Sequence, residues 1–288
     1  MANGIVVVDK PAGWTSQDVA AKLRGVFHER RVGHGGTLDP MATGVLPVFV
    51  GRATRAVEYF ESAEKEYLAG LRLGVVTNTQ DITGEVLETR PVELAPGALE
   101  TVLRRFTGPQ EQTPPMFSAV KINGQKLYQL ARSGREVKRN PRPIHIHSLT
   151  LEPDGAGDPT LRVRCSKGTY IRTLCHDIGQ ALGCGGCMSS LRRVAAGRFT
   201  LDESAPLARL IDAPEPEEFL LPVDTLFDAL PALRLTPAQE KPCRNGAAVF
   251  CGGRKPGRYR VYGADGAFLM VGRLEQGKLW TEKSFFDV

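Results

Sequence analysis

Long apolar runs are absent from the 288-residue sequence, so no segment is suited to cross a bilayer. The N-terminal stretch Met1-Ala2-Asn3-Gly4 lacks the basic and apolar regions of a signal peptide. Six cysteines in a chain of this length do not make a disulfide framework. These absences argue against a membrane protein and against a small secreted scaffold, and we expect a cytoplasmic protein.

The composition is that of an ordinary globular protein, with 42% hydrophobic and 24% charged residues. The net charge of +5 is unevenly distributed. Residues 101–150 carry nine Lys/Arg against two Asp/Glu, 161–200 carry seven against one, and 232–288 carry ten against five. The stretches 61–100 and 201–231 are acidic. Such blocks indicate either a surface for a polyanion or ordinary solvated charge.

The stretch from Gly33 to Gly44 is rich in glycine and contains one acidic residue, Asp39. Gly35-Gly36 allows the backbone to approach a partner closely, and Pro40 favours an extended conformation at Asp39. A carboxylate on an irregular loop suits a nucleophile or a general base. An Asp-Pro pair in a Gly-rich loop is usually an ordinary turn, so the loop alone does not settle the function.

Apolar periodicity predicts both strands and helices. Strands are expected at 4–8, 45–50, 65–74, 144–151 and 161–165, and a helix follows the capping box that Thr15 and Asp18 form. Tyr67 falls on the buried face of its strand, where its hydroxyl needs a partner. A second helix is expected to begin at an N-cap on Thr169 and to run to about Leu182. The fold class is therefore α+β, a mixed sheet with helices on its flanks.

The segment 113–143 differs from its surroundings because it is basic, rich in proline and interleaved with aromatic residues. Asn123-Gly124 predicts a hairpin turn within it. Cations for phosphates and rings for stacking suit a surface that grips RNA, although a solvated basic loop has the same composition. The candidate RNA-binding residues are Lys121, Lys126, Arg132 and Arg135.

Two patterns raise the question of a metal. Cys184-Gly185-Gly186-Cys187 could combine with Cys175 and His176 as a zinc set, but Cys175 belongs to the apolar stripe of the predicted helix. His145 and His147 share one face of a strand, where exposed histidines are the commoner interpretation. We expect no metal site.

Downstream, 201–231 is acidic and Pro-rich and resembles a connector with a short helix near 205–210. Short strands with turns follow it and predict a small barrel-like module. We therefore divide the chain into 1–230, with 113–143 as an insertion, and 231–288.

Taken in order, the motifs resemble those of the TruB family of tRNA pseudouridine synthases, bacterial type, and the tail resembles a PUA RNA-binding module. The motifs cover nearly all of residues 4–200. They are Asp9-Lys10-Pro11, the loop from His34 to Gly44, Lys65 with Tyr67, Pro115-Met116-Phe117-Ser118-Ala119, Ser166-Lys167-Gly168-Thr169-Tyr170-Ile171-Arg172 and Leu191-Arg192-Arg193. The Cys187 region departs from the family's usual residue type.

The resemblance implies that the chain isomerises uridine 55 in the T-loop of tRNA to pseudouridine, without a cofactor or a metal. It places the catalytic aspartate at Asp39, the active-site tyrosine at Tyr67 and the arginine that pairs with the aspartate at Arg172. It also places substrate-binding residues at His34, Tyr170, Leu191 and Lys10, and makes 113–143 a mobile thumb.

The expected partner is the T-arm of tRNA, and we expect a monomer with no obligate protein partner. Two alternatives differ in class. One is a non-catalytic tRNA-folding chaperone, which the presence of Asp39, Tyr67 and Arg172 argues against. The other is a guide-RNA-dependent enzyme that modifies ribosomal RNA, which the short N-terminus and the basic insertion argue against.

Overall fold

The computed structural model describes residues 2–122, 124–153 and 157–286. The fold is α+β, as predicted. Its helices are α1 (Ser16–Val26), α2 (Val57–Phe60), α3 (Ala98–Arg105), α4 (Leu127–Arg132), α5 (Ile171–Ala181), α6 (Leu207–Ile211) and α7 (Pro237–Arg244). Short 3-10 turns lie at Gly51–Ala56, Leu201–Glu203, Pro216–Phe219 and Val223–Phe227.

Fourteen strands precede the C-terminal module within the described residues. They are β1 (Gly4–Lys10), β2 (Val32–His34), β3 (Thr43–Val50), β4 (Lys65–Leu73), β5 (Val75–Thr77), β6 (Val86–Thr89), β7 (Gly108–Gln112), β8 (Lys121–Ile122), β9 (Gln125–Lys126), β10 (Arg142–Leu151), β11 (Thr160–Cys165), β12 (Gly186–Ala196), β13 (Phe199–Thr200) and β14 (Ala205–Pro206). Ten of them form one mixed sheet in the order β14-β1-β3-β12-β4-β11-β10-β7, with β13 beside β12 and β2 beside β3.

The C-terminal module is a five-stranded sheet in the order β15-β17-β18-β19-β16. Its strands are β15 (Ala232–Arg234), β16 (Val249–Phe250), β17 (Gly257–Tyr262), β18 (Phe268–Glu275) and β19 (Lys278–Ser284). Their alternating apolar residues enclose a core of their own, including Leu233, Val261 and Leu279. The predicted small β module is present.

Both faces of the large sheet are covered. One face carries the main core, where α1 and α5 pack their apolar stripes against β-branched and leucine side chains such as Val6, Val8 and Leu46. The opposite face carries a second apolar cluster, which Phe227 from the 201–231 stretch and Phe285 from the C-terminal module complete. The predicted connector is therefore packed structure, and β14 adds a parallel strand beside β1.

Some local predictions hold and others fail. The Thr15–Asp18 capping box forms at the start of α1. The N-cap of α5 is Tyr170 and not Thr169, because the Thr169 hydroxyl donates back to the Ser166 carbonyl oxygen at 3.0 Å. Strands β8 and β9 pair as the predicted hairpin requires; Asn123 of its turn lies outside the described residues.

The eleven-residue strand β12 in the middle of the sheet was not predicted. Its register shifts at Met188/Ser190 and at Arg193/Ala195, where the pairing with β4 is irregular. Each irregularity interrupts the alternation of buried and exposed side chains, which is the signal that a sequence offers for a strand.

Candidate active site

Asp39 lies in an irregular loop between β2 and β3, as predicted, and both flanking residues are tethered. The Ser16 hydroxyl at the start of α1 accepts from the Leu38 N–H at 2.8 Å and donates to the Leu38 carbonyl oxygen at 3.3 Å. The Gly13 N–H donates to the Pro40 carbonyl oxygen at 2.8 Å. The carboxylate is therefore held by a fixed backbone although no helix or strand carries it.

Gly44 closes this loop at a point where only glycine fits. Its φ is +99°, in the left-handed region, and a Cβ there would overlap the backbone of Arg193 on β12. Gly44 pairs with Arg193 in the parallel register of β3 and β12. This close approach brings the end of the loop directly against the central strand.

Arg172 in the first turn of α5 forms a two-point ion pair with Asp39. Its Nε lies 2.8 Å from Oδ2, and its Nη2 donates to Oδ1 at 3.4 Å. The Arg172 side chain is 6% exposed, whereas that of Asp39 is 34% exposed. A planar guanidinium that contacts both carboxylate oxygens fixes the orientation of the carboxylate and also favours its negatively charged form.

The Arg172 guanidinium also contacts groups other than Asp39. Nη1 donates to the Thr79 carbonyl oxygen at 3.2 Å and lies 3.7 Å from Oδ2 of buried Asp81. Nη2 donates to the Phe117 carbonyl oxygen at 3.0 Å, which links the arginine to the 113–143 segment. Asp81 was missed by the sequence analysis, because an acidic residue in a polar loop gives no signal of its partner.

Opposing effects act on the pKa of Asp39. Burial raises this pKa above its ordinary value, the Arg172 guanidinium opposes the rise, and the Asp81 carboxylate adds to it. Lys10 contributes a smaller lowering. Arginine is charged at any physiological pH, so the counter-charge beside Asp39 does not titrate away.

Lys10 lies at the end of β1 and is fully buried. Its Nζ donates to the carbonyl oxygens of Trp14 at 2.6 Å, Pro11 at 2.8 Å and Pro40 at 3.3 Å. Burial lowers its pKa to about 8, although nearby Asp39 acts in the opposite direction. Lys10 therefore ties the turn after β1 to the backbone that follows Asp39.

Tyr67 and Leu191 lie on the adjacent strands β4 and β12, and both are buried. Leu191 pairs with Ala69 and Tyr67 pairs with Arg193 in the antiparallel register. Burial raises the pKa of the Tyr67 hydroxyl above its ordinary value, the nearby Arg193 charge opposes the rise, and Asp39 adds to it. The charged residue paired with Tyr67 is thus Arg193, which stands in one of the sequence motifs without a predicted role.

His34 and Tyr170 lie at the edges of the site. His34 ends β2, its Nδ1 is buried without a hydrogen-bond partner, and burial lowers its pKa, as does nearby Arg193. The backbone of Tyr170 is held by Gln112 at the end of β7: its N–H donates to Oε1 at 2.7 Å, and its carbonyl oxygen accepts from Nε2 at 3.0 Å. Gln112 thereby joins the start of the insertion to the start of α5.

The four basic residues predicted to bind RNA lie together in the insertion. Lys126 and Arg132 place their cationic groups 5.6 and 5.5 Å from the centre of the Tyr128 ring. Arg135 donates to the Gln125 side chain at 3.3 Å, and Lys121 is exposed. The insertion thus presents clustered cations around one aromatic ring.

The residues considered for a metal do not form a cluster. Across 2–122, 124–153 and 157–286, no group of three or more His, Cys, Asp or Glu side chains could hold a metal ion. Cys175 packs in the apolar stripe of α5, and Cys184 and Cys187 are buried thiols. His145 and His147 stack at 4.4 Å between ring centroids, with Nε2 of His147 3.2 Å from Oε1 of Glu64. In the same part of the chain, no helix is long and apolar enough to cross a membrane.

Two family models match the chain. The TruB family pseudouridylate synthase (N terminal domain) matches residues 24–171, and the tRNA pseudouridylate synthase B C-terminal domain matches residues 172–228. Among curated relatives, tRNA pseudouridine synthase B of Streptococcus thermophilus (strain CNRZ 1066) is 43% identical over 265 residues, 89% of this chain and 90% of the relative. The protein of the same name from Dechloromonas aromatica (strain RCB) is 43% identical over 285 residues, 98% of this chain and 95% of the relative.

Solved structures share the fold along the whole chain. A chain of the Cbf5-Nop10-Gar1 complex superposes with a TM-score of 0.73 at 27% identity, covering 98% of this chain and 85% of that one. The site and fold define a pseudouridine synthase, an isomerase. The chain belongs to the TruB family, the tRNA pseudouridine synthases of the B type.

Proposed function

We propose that this chain converts uridine 55 in the T-loop of tRNA to pseudouridine, acting alone and with Asp39 as the nucleophile. The observation that carries the proposal is the two-point pair between Arg172 and Asp39, since it holds the carboxylate in one orientation and leaves it partly exposed. The name of the curated relatives supports tRNA as the substrate.

The reaction needs little beyond positioned charge. The bond between N1 of uracil and C1′ of ribose breaks, the ring turns, and C5 bonds to C1′; a proton leaves C5 and a proton is gained at N1. The overall reaction is an isomerisation and needs no external oxidant or reductant. Asp39 supplies the covalent partner of the intermediate, and Tyr67 is placed to stack on the base and to assist proton removal.

Access to the base requires that the nucleotide leave the T-loop stack, which costs a few kcal/mol. Phosphate contacts from Lys121, Lys126, Arg132 and Arg135 would offset this cost. We assign His34, Tyr170, Leu191 and Lys10 to the walls and support of the base pocket, and 231–288 to a PUA-like module that adds RNA contacts. The basic blocks of the sequence then follow the path of one polyanion.

The direct test uses purified protein and an unmodified tRNA transcript. We expect pseudouridine at position 55 without added guide RNA or partner protein, and none in a transcript with cytidine at that position. Asp39→Asn should bind the transcript with wild-type affinity and yield no product. Conversion only in the presence of a guide RNA would overturn the proposal of a stand-alone enzyme, and conversion by Asp39→Asn would exclude Asp39 as the nucleophile.

A non-catalytic chaperone would give a different result. It would accelerate refolding of the transcript without forming pseudouridine, and Asp39→Asn would leave that refolding unchanged. The two functions can coexist, so product formation by the wild-type chain decides whether catalysis is present.

A further inference from the structure

Arg193 is a fully buried arginine on the central strand β12, beside the loop that carries Asp39. Its partner in the antiparallel pairing of β12 with β4 is Tyr67. Directly paired residues of neighbouring strands place their side chains side by side on one face of the sheet. The neighbouring Arg192 points to the other face, where it pairs with Asp9 at 2.8 Å.

The Arg193 guanidinium joins three parts of the site. Its Nε donates to the Val45 carbonyl oxygen on β3 at 2.6 Å, and its Nη2 donates to the Gly36 carbonyl oxygen at 3.2 Å, in the loop that carries Asp39. Its side chain lies beside that of Tyr67, its partner in the pairing of β12 with β4. One side chain therefore links β3, the loop that carries Asp39 and the strand position of Tyr67.

The charge of Arg193 has no carboxylate counterpart. Within the described part of the chain, no Asp or Glu oxygen lies within 4.0 Å of its nitrogen atoms in an ion pair. Its charged neighbours include Lys10, Lys65 and His34, and the Arg193 charge lowers the pKa of each. A buried cation without an anion is costly, so an anion that forms on Tyr67 is the partner that this guanidinium lacks.

We propose that Arg193 is a positioning residue that lies beside Tyr67 and stabilises it as a phenolate while it takes the proton from C5. This inference rests on the proposed function. The phenolate forms by loss of the hydroxyl proton to solvent before the step. In the step the C5–H bond breaks, its electron pair restores the ring double bond, and an O–H bond forms on Tyr67.

Several groups face these two side chains and bear on any pH dependence. Tyr67 is flanked by Arg193 of β12, Cys165 of β11 and Asp39 of the loop. Arg193 is faced by Lys10, Lys65 and His34. Because Lys10, Lys65 and Cys165 also titrate above neutral pH, an alkaline change in rate is assigned to Tyr67 only if it disappears in Tyr67→Phe.

The experiment measures tritium release from tRNA that carries uridine tritiated at C5, with enzyme in excess, from pH 6 to pH 9. Two variants separate the properties of the guanidinium: Arg193→Lys keeps a charge and loses the planar fork, and Arg193→Gln keeps a donor and loses the charge. We expect the single-turnover rate to fall at least tenfold at pH 7 in both. The rates of the wild type and of both variants should rise with pH, and the deficit should persist to pH 9, because burial raises the pKa of Tyr67 and keeps the phenolate the minor form in all three.

Arg192→Lys is the matched control, since it changes the adjacent residue on the other face and preserves the charge that pairs with Asp9. It should keep the wild-type rate and pH profile. Measurements of thermal unfolding and tRNA affinity identify any variant that fails to fold. If one Arg193 variant fails to fold, the rate of the other tests the inference. In the Tyr67→Phe background, either Arg193 substitution should cause less than a twofold further loss.

Equal losses in the wild-type and Tyr67→Phe backgrounds would overturn the inference and leave the proposed function intact. Wild-type tritium release by Tyr67→Phe would instead contradict the role that the proposed function gives to Tyr67. Absence of product at uridine 55 from the wild-type chain would contradict the proposed function itself.

Discussion

Two nitrogen atoms of Arg172 face the two carboxylate oxygens of Asp39, Nε at 2.8 Å from Oδ2 and Nη2 at 3.4 Å from Oδ1. The same guanidinium reaches the Thr79 and Phe117 carbonyl oxygens. The orientation of the carboxylate therefore depends on α5, on the loop that contains Thr79 and on the insertion that contains Phe117. These segments meet only in the folded protein.

Arg172→Lys should reduce the single-turnover rate on the order of 100-fold, because a single ammonium group cannot hold both oxygens and small displacements at a reacting centre are costly. The tRNA affinity should change little. Arg164→Lys is the control, since Arg164 forms an exposed ion pair with Glu64 at 2.6 Å. Rapid-quench kinetics on both variants make the comparison, and a wild-type rate for Arg172→Lys would show that the two-point contact is dispensable.

The pKa of Asp39 makes a prediction about stability as well as rate. Because burial raises this pKa above 3.8, the folded state binds a proton more tightly than the unfolded state. The contribution of Asp39 to stability is thus greatest at low pH and is lost as the pH rises through the raised pKa. Relative to wild type, Asp39→Asn should gain stability over that rise, whereas catalysis by the wild type should fail as the pH falls through it.

Thermal unfolding of wild type and Asp39→Asn between pH 4 and pH 7 measures the effect. The difference in Tm should shift in favour of the variant with increasing pH. A constant difference would mean that Arg172 cancels the effect of burial on this pKa. A shift in favour of the wild type would mean that Arg172 outweighs burial and that the pKa of Asp39 is lowered in the folded protein.

Gly44→Ala should destabilise the fold by about 3 kcal/mol, because alanine is strained at positive φ and its Cβ would collide with the Arg193 backbone. Gly13→Ala is matched to it, with φ of +83° and no atom within 4 Å of the added Cβ. It should cost only the strain of about 1–2 kcal/mol. Chemical denaturation measures the free energy of unfolding of both variants. Equal losses of stability would show that the contact with the Arg193 backbone adds nothing to the strain at positive φ.

Neutralising Lys121, Lys126, Arg132 and Arg135 together to glutamine should flatten the salt dependence of tRNA binding. Each lost phosphate contact reduces the slope of log affinity against log salt by roughly 0.7–0.9, so four contacts amount to about 3. A triple variant of the exposed cations Lys22, Arg104 and Arg105 is the control for general charge. If the slope of the fourfold variant stays at its wild-type value, the insertion does not lie on the RNA.

Much of this fold could be predicted from the sequence, and the failures have identifiable causes. The strand of Tyr67 was found because buried and partly exposed residues alternate from Lys65 to Ala69, and α1 was found from its capping box. Strand β12 was missed because its irregular pairing with β4 breaks that alternation. The acidic stretch 201–231 was taken for a connector because its composition does not reveal which of its residues are buried. They include Leu207, Leu210, Val223 and Phe227.

The same distinction applies to the site. Asp39 and Arg172 lie 133 residues apart, and the motifs that contain them could be found one by one. Asp81 and Arg193 have their roles only through contacts between distant segments, with Arg172 and with Tyr67. The sequence shows that these residues are charged, but only the fold shows that Asp81 lies near Arg172 and that Arg193 lies beside Tyr67.

The apolar cluster that contains Ile5 and Val7 of the large sheet also contains Val271 and Phe285 of the C-terminal module. At its margin the Arg55 side chain donates to the Ser284 hydroxyl at 2.8 Å, and the Tyr59 hydroxyl donates to the Glu282 carboxylate at 3.3 Å. A boundary drawn at residue 230 divides the chain by sequence only. Removal of the module would expose the apolar side chains that it covers on the catalytic sheet. We therefore expect the two parts to unfold together on heating, to be cleaved together by proteases, and to tolerate exchange between proteins only as a pair.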